Sequence, residues 1–168
     1  ATGTIDQKAT DAVALFFKNF SYDILNEEID GDTATVTVEI TNSDMHTVAQ
    51  DLCSAILRRS AAITASASTQ TTGDYYHLLY DTLASNSYDT TVTTATFHLR
   101  KDGKNWMILA DSTLEDQLVS GFISNMNDPY ILPASTVLSI HLDTLKALDA
   151  EGWKNYLSIS DVFATYNS

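Results

Sequence analysis

The stretch Thr91–Ala110, TVTTATFHLRKDGKNWMILA, decides the fold. Two runs of strand-forming residues flank Asp102-Gly103, and an Asp-Gly pair between such runs is the strongest short-range sign of a β-hairpin, because Gly accepts the positive φ of a tight turn. Ala95, Phe97 and Leu99 share one face against Thr94, Thr96, His98 and Arg100. In the return strand Trp106 and Ile108 alternate with Met107 and Leu109, so this strand is apolar on both sides and is expected to be central or covered. Upstream, Ser21–Asn42 repeats the plan around Asp30-Gly31-Asp32, with Ala34, Val36, Val38 and Ile40 opposite Thr35, Thr37, Glu39 and Thr41. That split implies one buried and one wet face. Each hairpin leads into a helical pattern, which makes the chain α+β, an antiparallel sheet covered on one face.

The intervening spacings supply the helices. Ile5, Ala9, Val13, Phe16, Phe17 and Phe20 lie on one face of a first helix that Thr4 or Asp6 would cap. Ser43-Asp44 caps a long helix to about Ala65, with Val48, Leu52, Ile56 and Ile63 as its stripe. After a small polar break at Ser66–Gly73, Asp74–Ala84 reads as a short helix with Tyr76, Leu79, Tyr80 and Leu83 on one side. Asp111-Ser112 caps a helix running to about Asn125, with Leu114, Leu118, Phe122 and Ile123 inward. Pro129 and Pro133 mark the clearest linker. Beyond it Val137, Leu138, His141, Leu142, Leu145 and Leu148 form an amphipathic helix, and Trp153, Tyr156, Leu157, Val162, Phe163 and Tyr166 a last apolar segment. The organisation is therefore a domain over 1–127 and a C-terminal helical extension over 128–168, packed on the same domain or on a partner.

Of 168 residues, nine are basic and 22 acidic, for a net charge of −13. Phosphate backbones repel such a chain, so no nucleic-acid partner is expected. Cys53 is the single cysteine; its neighbours Val48, Leu52 and Ile56 make it a small helix-stripe hydrophobe with no role as nucleophile. No apolar run approaches the ~20 residues that span a bilayer. The start at Ala1-Thr2-Gly3-Thr4 reads as a mature or trimmed terminus, and abundant Thr, Ser, Asn and Tyr beside scarce Lys and Arg suit a secreted surface.

The runs YDILNEEIDGDTATVTVEITNSD at Tyr22–Asp44 and FHLRKDGKNWMILADSTLEDQLVSGF at Phe97–Phe122 resemble small secreted lipoproteins of Gram-positive anaerobes. These look like members of the nuclear-transport-factor-2-like superfamily, the cone-shaped cystatin-like α+β fold, in which a curved antiparallel sheet packs on helices and encloses a pocket. The resemblance covers about Ile5–Asn125 and leaves the tail from Asp128 outside. It implies an extracytoplasmic cell-surface protein whose only membrane link is a lipidated Cys upstream of Ala1. Fold alone carries no activity.

Some enzymes of that superfamily use an Asp or a His-Asp pair with Tyr inside the cone. The corresponding search here stops at DYYHLLYD, where Asp74, Tyr76, His77, Tyr80 and Asp81 crowd a short helix. Tyr76, His77 and Tyr80, with Tyr88 and Trp106 as an aromatic lining, are the candidate ligand-binding residues. His98 falls on the Thr-rich outer face, and His46 and His141 read as packing or surface residues. No helical metal pair, HExxH, GxSxG or phosphate loop is present, so no metal, cofactor or catalytic residue is assigned. Asp30-Gly31-Asp32 is turn chemistry and lacks the ladder of a calcium loop.

The expectation is a non-enzymatic extracytoplasmic binding or interaction module, its partner a small molecule, a peptide, a second copy or another envelope protein. The alternative is an isomerase or dehydratase using a pocket carboxylate, or His77 with tyrosines.

Overall fold

The computed structural model describes residues 7–66 and 75–158. Its elements run α1 (Gln7–Phe16), β1 (Ser21–Asp30), β2 (Thr33–Ser43), α2 (Met45–Ala65), α3 (Tyr75–Ser85), β3 (Thr90–Asp102), β4 (Asn105–Leu109), α4 (Ser112–Leu118), α5 (Phe122–Met126), α6 (Ala134–Ala147) and α7 (Ala150–Ser158). The four strands form one antiparallel sheet in the order β1-β2-β3-β4. The fold is α+β, as the two hairpins imply. The expected caps at Thr4 and Asp6, the residue Asp74, and Val162, Phe163 and Tyr166 lie outside the described residues.

Both turns are two-residue loops, Gly31-Asp32 and Gly103-Lys104, with φ of 59° and 61° at the glycines. Gly at the first central position is the II′ arrangement, whose twist matches that of the flanking strands. Asp44 caps α2 through Oδ1, which accepts from the His46 and Thr47 N–H groups at 3.1 and 3.4 Å, while Oδ2 accepts from the Thr47 hydroxyl at 2.7 Å. Asp111 caps α4 through the Leu114 N–H at 2.8 Å. In each case a carboxylate satisfies donors that a helix start leaves orphaned.

Two cores result. In the helical one, Phe16, Met45, Val48 and Leu83 join α1, α2 and α3, with Val119 and Phe122 packed on them. Phe16 and Phe122 meet edge to face, 5.1 Å between ring centres. Full burial of side chains such as Met45 and Val48 contributes about 1.5–3 kcal/mol each. The second core lies between sheet and α4, where Val38, Ile40 and Ala95 meet Leu114, with Val36, Phe97 and Leu118 around them.

Three expectations change. The return strand of the second hairpin is neither central nor covered: β4 is an edge, and Trp106, Met107, Ile108 and Leu109 are 39–56% exposed. The chain leaves Leu109 directly for the Asp111 cap, and among the described residues no further strand pairs with β4. The helix expected from Asp111 to Asn125 is broken at Ser120-Gly121, where φ reaches 55° and 78°. The first helix ends at Phe16, four residues short of Phe20, and frees Phe20 for the sheet.

The C-terminal helices lie along α2. Gln50 Nε2 donates to the Ile131 carbonyl at 3.0 Å, and Arg58 pairs with Asp143 at 3.3 Å. Ile140 is the fully buried residue of α6, whereas Leu138 and Leu142 of its apolar stripe remain more than half exposed.

Candidate functional site

Period-two geometry turns the even-numbered residues of β2 to one face, and the register supplies their neighbours. Tyr22 stands opposite Ile40 and Ile24 opposite Val38; Val36 faces Phe97 on the other side, and Leu99 faces Ile108. Leu25 is a bulge residue between Ile24 and Asn26 and flips the phase of β1 beyond it. Phe20 closes the groove at one margin and Leu118 of α4 at another.

The result is an open groove of about 330 Å³, to which all four strands and α4 contribute. Val38 and Ile40 form a floor that is 7% and 1% exposed. Tyr22, Ile24 and Ile108 form a rim that is 62%, 63% and 56% exposed. Every described lining residue is aliphatic or aromatic, and the Tyr22 phenol is the single ionisable side chain among them. On the opposite face β2 is rich in Thr, and Thr35 Oγ1 lies 3.5 Å from His98 Nδ1 of β3. His98 therefore sits on the Thr-rich face, as its alternation predicts.

The five residues read from sequence fall elsewhere. Tyr76 and His77 lie on α3, Tyr76 58% exposed and His77 half-buried. Tyr80, on the same helix, stacks beneath Lys8, whose ammonium is 5.5 Å from the ring centre. The Tyr88 hydroxyl donates to Asp51 Oδ2 at 2.7 Å. Burial, and next the Asp51 carboxylate, hold this phenol well above the ordinary tyrosine range. Trp106 is on β4, two residues before Ile108, with the Lys101 ammonium 5.2 Å from its ring centre. Tyr88 and α3 share the helical core through Leu79 and Leu83, but none of the five lines the groove.

The other polar groups are tied into the fold. His46 Nδ1 lies 2.8 Å from Asn125 Oδ1, linking α2 to α5, and His141 contacts the Tyr156 hydroxyl, linking α6 to α7. Burial pushes the Cys53 thiol up, and its Sγ rests 3.8 Å from Met126 Sδ, the setting of an inert hydrophobe. Among the described residues no three His, Cys, Asp or Glu side chains converge on a metal position. A larger cleft of about 630 Å³ between α2, α6 and α7 is crossed by the Arg58–Asp143 pair and ends at Ser66, the last described residue of that segment. No described helix is long and apolar enough to cross a membrane.

The sequence signal for the groove was the Tyr22–Ile24 step followed by Ile29 out of phase, the mark of a bulge. Compared with protein-family models, curated proteins and solved structures, the chain matches none of them.

Proposed function

We propose that this chain is a non-enzymatic binding module that holds a small apolar molecule in the groove of its sheet. The observation that carries this is the lining: ten aliphatic and aromatic residues around about 330 Å³, a volume at the lower end of small-molecule sites. Removing the exposed rim of Tyr22, Ile24 and Ile108 from water supplies the driving force, about 25 cal/mol for each Å² of apolar surface covered. An isomerase or dehydratase would need a carboxylate or imidazole facing the substrate, and among the described residues none that lines the groove supplies either. The cone-type, cystatin-like fold and an extracytoplasmic, lipid-anchored setting belong to the same proposal. They are supported by the α+β sheet-and-helix layout and the resemblance of the two hairpins.

Native mass spectrometry of protein purified from its own host, compared with the denatured spectrum, tests the reading. A mass excess that disappears on denaturation, and that an apolar competitor displaces, is expected. A bare protein that also fails to take up an uncharged naphthylamine dye saturably would end it.

A further inference from the structure

The two edges of the sheet are built oppositely. β1 carries Asp23, Glu27, Glu28 and Asp30 and a bulge at Leu25, devices that keep an edge from pairing with another chain. β4, NWMIL, carries no charge, no proline and no bulge, and all five residues are exposed. We propose that β4 pairs antiparallel with β4 of a second copy of this chain about a two-fold axis at Met107, joining two sheets into one of eight strands.

The register follows from the turn. Asp102 and Asn105 flank the two-residue loop and so form its closing hydrogen-bonded pair. By alternation, Asn105, Met107 and Leu109 direct their backbone groups at β3, and Trp106 and Ile108 direct theirs outward. Placing Met107 opposite Met107 of the partner subunit sets Trp106 against Ile108 of the partner subunit, and the reverse. All four outward N–H and C=O groups are then satisfied, and two aromatic–β-branched pairs form on one face. The same register brings Lys104, one of nine basic residues in a chain of net charge −13, beside Asp111 of the partner subunit. A head-to-tail pairing of β4 on β1 would meet the bulge and would not close.

Sedimentation of the full chain gives the first test. So small an edge interface predicts a monomer–dimer equilibrium in the range of tens of micromolar, with a species of twice 18.4 kDa. Ile108→Pro removes an outward N–H and leaves the β3 ladder intact, so it should weaken the dimer roughly tenfold or more with circular dichroism unchanged. Met107→Cys should cross-link under mild oxidation, since opposed residues of a non-hydrogen-bonded pair lie about 4.5 Å apart at Cα, within disulfide reach. Glu27→Cys on the other edge should not. A monomer at about 100 μM, open-ended polymers, an unaffected Ile108→Pro dimer, or cross-linking through Glu27→Cys and not Met107→Cys would each overturn the proposal.

Discussion

Tyr88 and Asp51 are joined by a 2.7 Å hydrogen bond that ties the segment ahead of β3 to the second turn of α2, the junction between sheet and helical core. At the residue next to Tyr88, the Asp89 carbonyl accepts from the Asp44 N–H at 2.7 Å, so side chain and backbone pin the same segment to α2 and its cap.

Tyr88→Phe should therefore destabilise the chain by about 1.5 kcal/mol, the low end for a hydrogen bond to a charged acceptor because the site is only half-buried. The pH dependence has a definite sign. The folded phenol titrates above its unfolded value near 10, so its stabilisation is complete below pH ~10 and declines as pH rises beyond it. Urea unfolding of both proteins at pH 8 and pH 11 should show the gap between them shrinking. A gap of constant size would mean that the folded phenol is not held above its unfolded value by burial and Asp51.

How much of this was legible in the chain depends on the range of each interaction. The turn glycines Gly31 and Gly103 and the caps Asp44 and Asp111 were readable because each acts within three residues of itself. Whether Trp106–Leu109 is buried was not readable, since apolarity on both faces of a strand implies cover only if another element lies opposite, and that is decided far away in sequence. The break at Ser120-Gly121 sits inside a good helical spacing, and beyond it Phe122 packs on Phe16, a partner about a hundred residues away in sequence. The crowd of aromatic and titratable groups at Tyr76–Asp81 drew attention by composition. The groove needed the register of four strands, which no local pattern carries.

Groove occupancy should respond to a single charge on the rim. Ile24 is 63% exposed, so Ile24→Asp should leave the melting temperature within about 2 °C while placing a carboxylate beside Val38. Uptake of an uncharged naphthylamine dye, followed by fluorescence, should weaken at least tenfold, about 1.4 kcal/mol. Equal affinity for the wild-type and Asp proteins would place the dye somewhere other than the groove.

Gly103→Ala isolates the conformational term in the second hairpin. A Cβ at this position meets nothing within 4 Å, so the entire cost is the left-handed φ of 61°. About 1–2 kcal/mol should be lost. Because among the described residues β4 is bonded in the sheet to β3 alone, amide exchange should accelerate first from Asn105 to Leu109. Uniform acceleration across all strands would show that β4 does not open independently.

Ser120→Gly should do the reverse and stabilise. Ser120 has φ of 55° without the freedom of glycine, and it is followed by Gly121 at 78°, so two successive left-handed residues turn the chain from α4 into α5. The bend is held by Asp116 of α4: the Gly121 N–H donates to its carbonyl at 2.8 Å, and the Ser124 N–H to its Oδ1 at 3.0 Å. The Ser120 hydroxyl is buried and has no hydrogen-bond partner among the described residues, so none of these bonds comes from it. Glycine removes about 1–2 kcal/mol of left-handed strain together with an unsatisfied polar atom, against about 0.4–1 kcal/mol of added freedom in the unfolded chain. A net gain of about 0.5–1 kcal/mol should appear in calorimetry as a rise of roughly 2–4 °C per kcal/mol. Ser120→Val, which keeps the φ and adds β-branching, should fall below wild type. The order Gly above Ser above Val is the signature of backbone strain, and a Gly variant melting below wild type would exclude it.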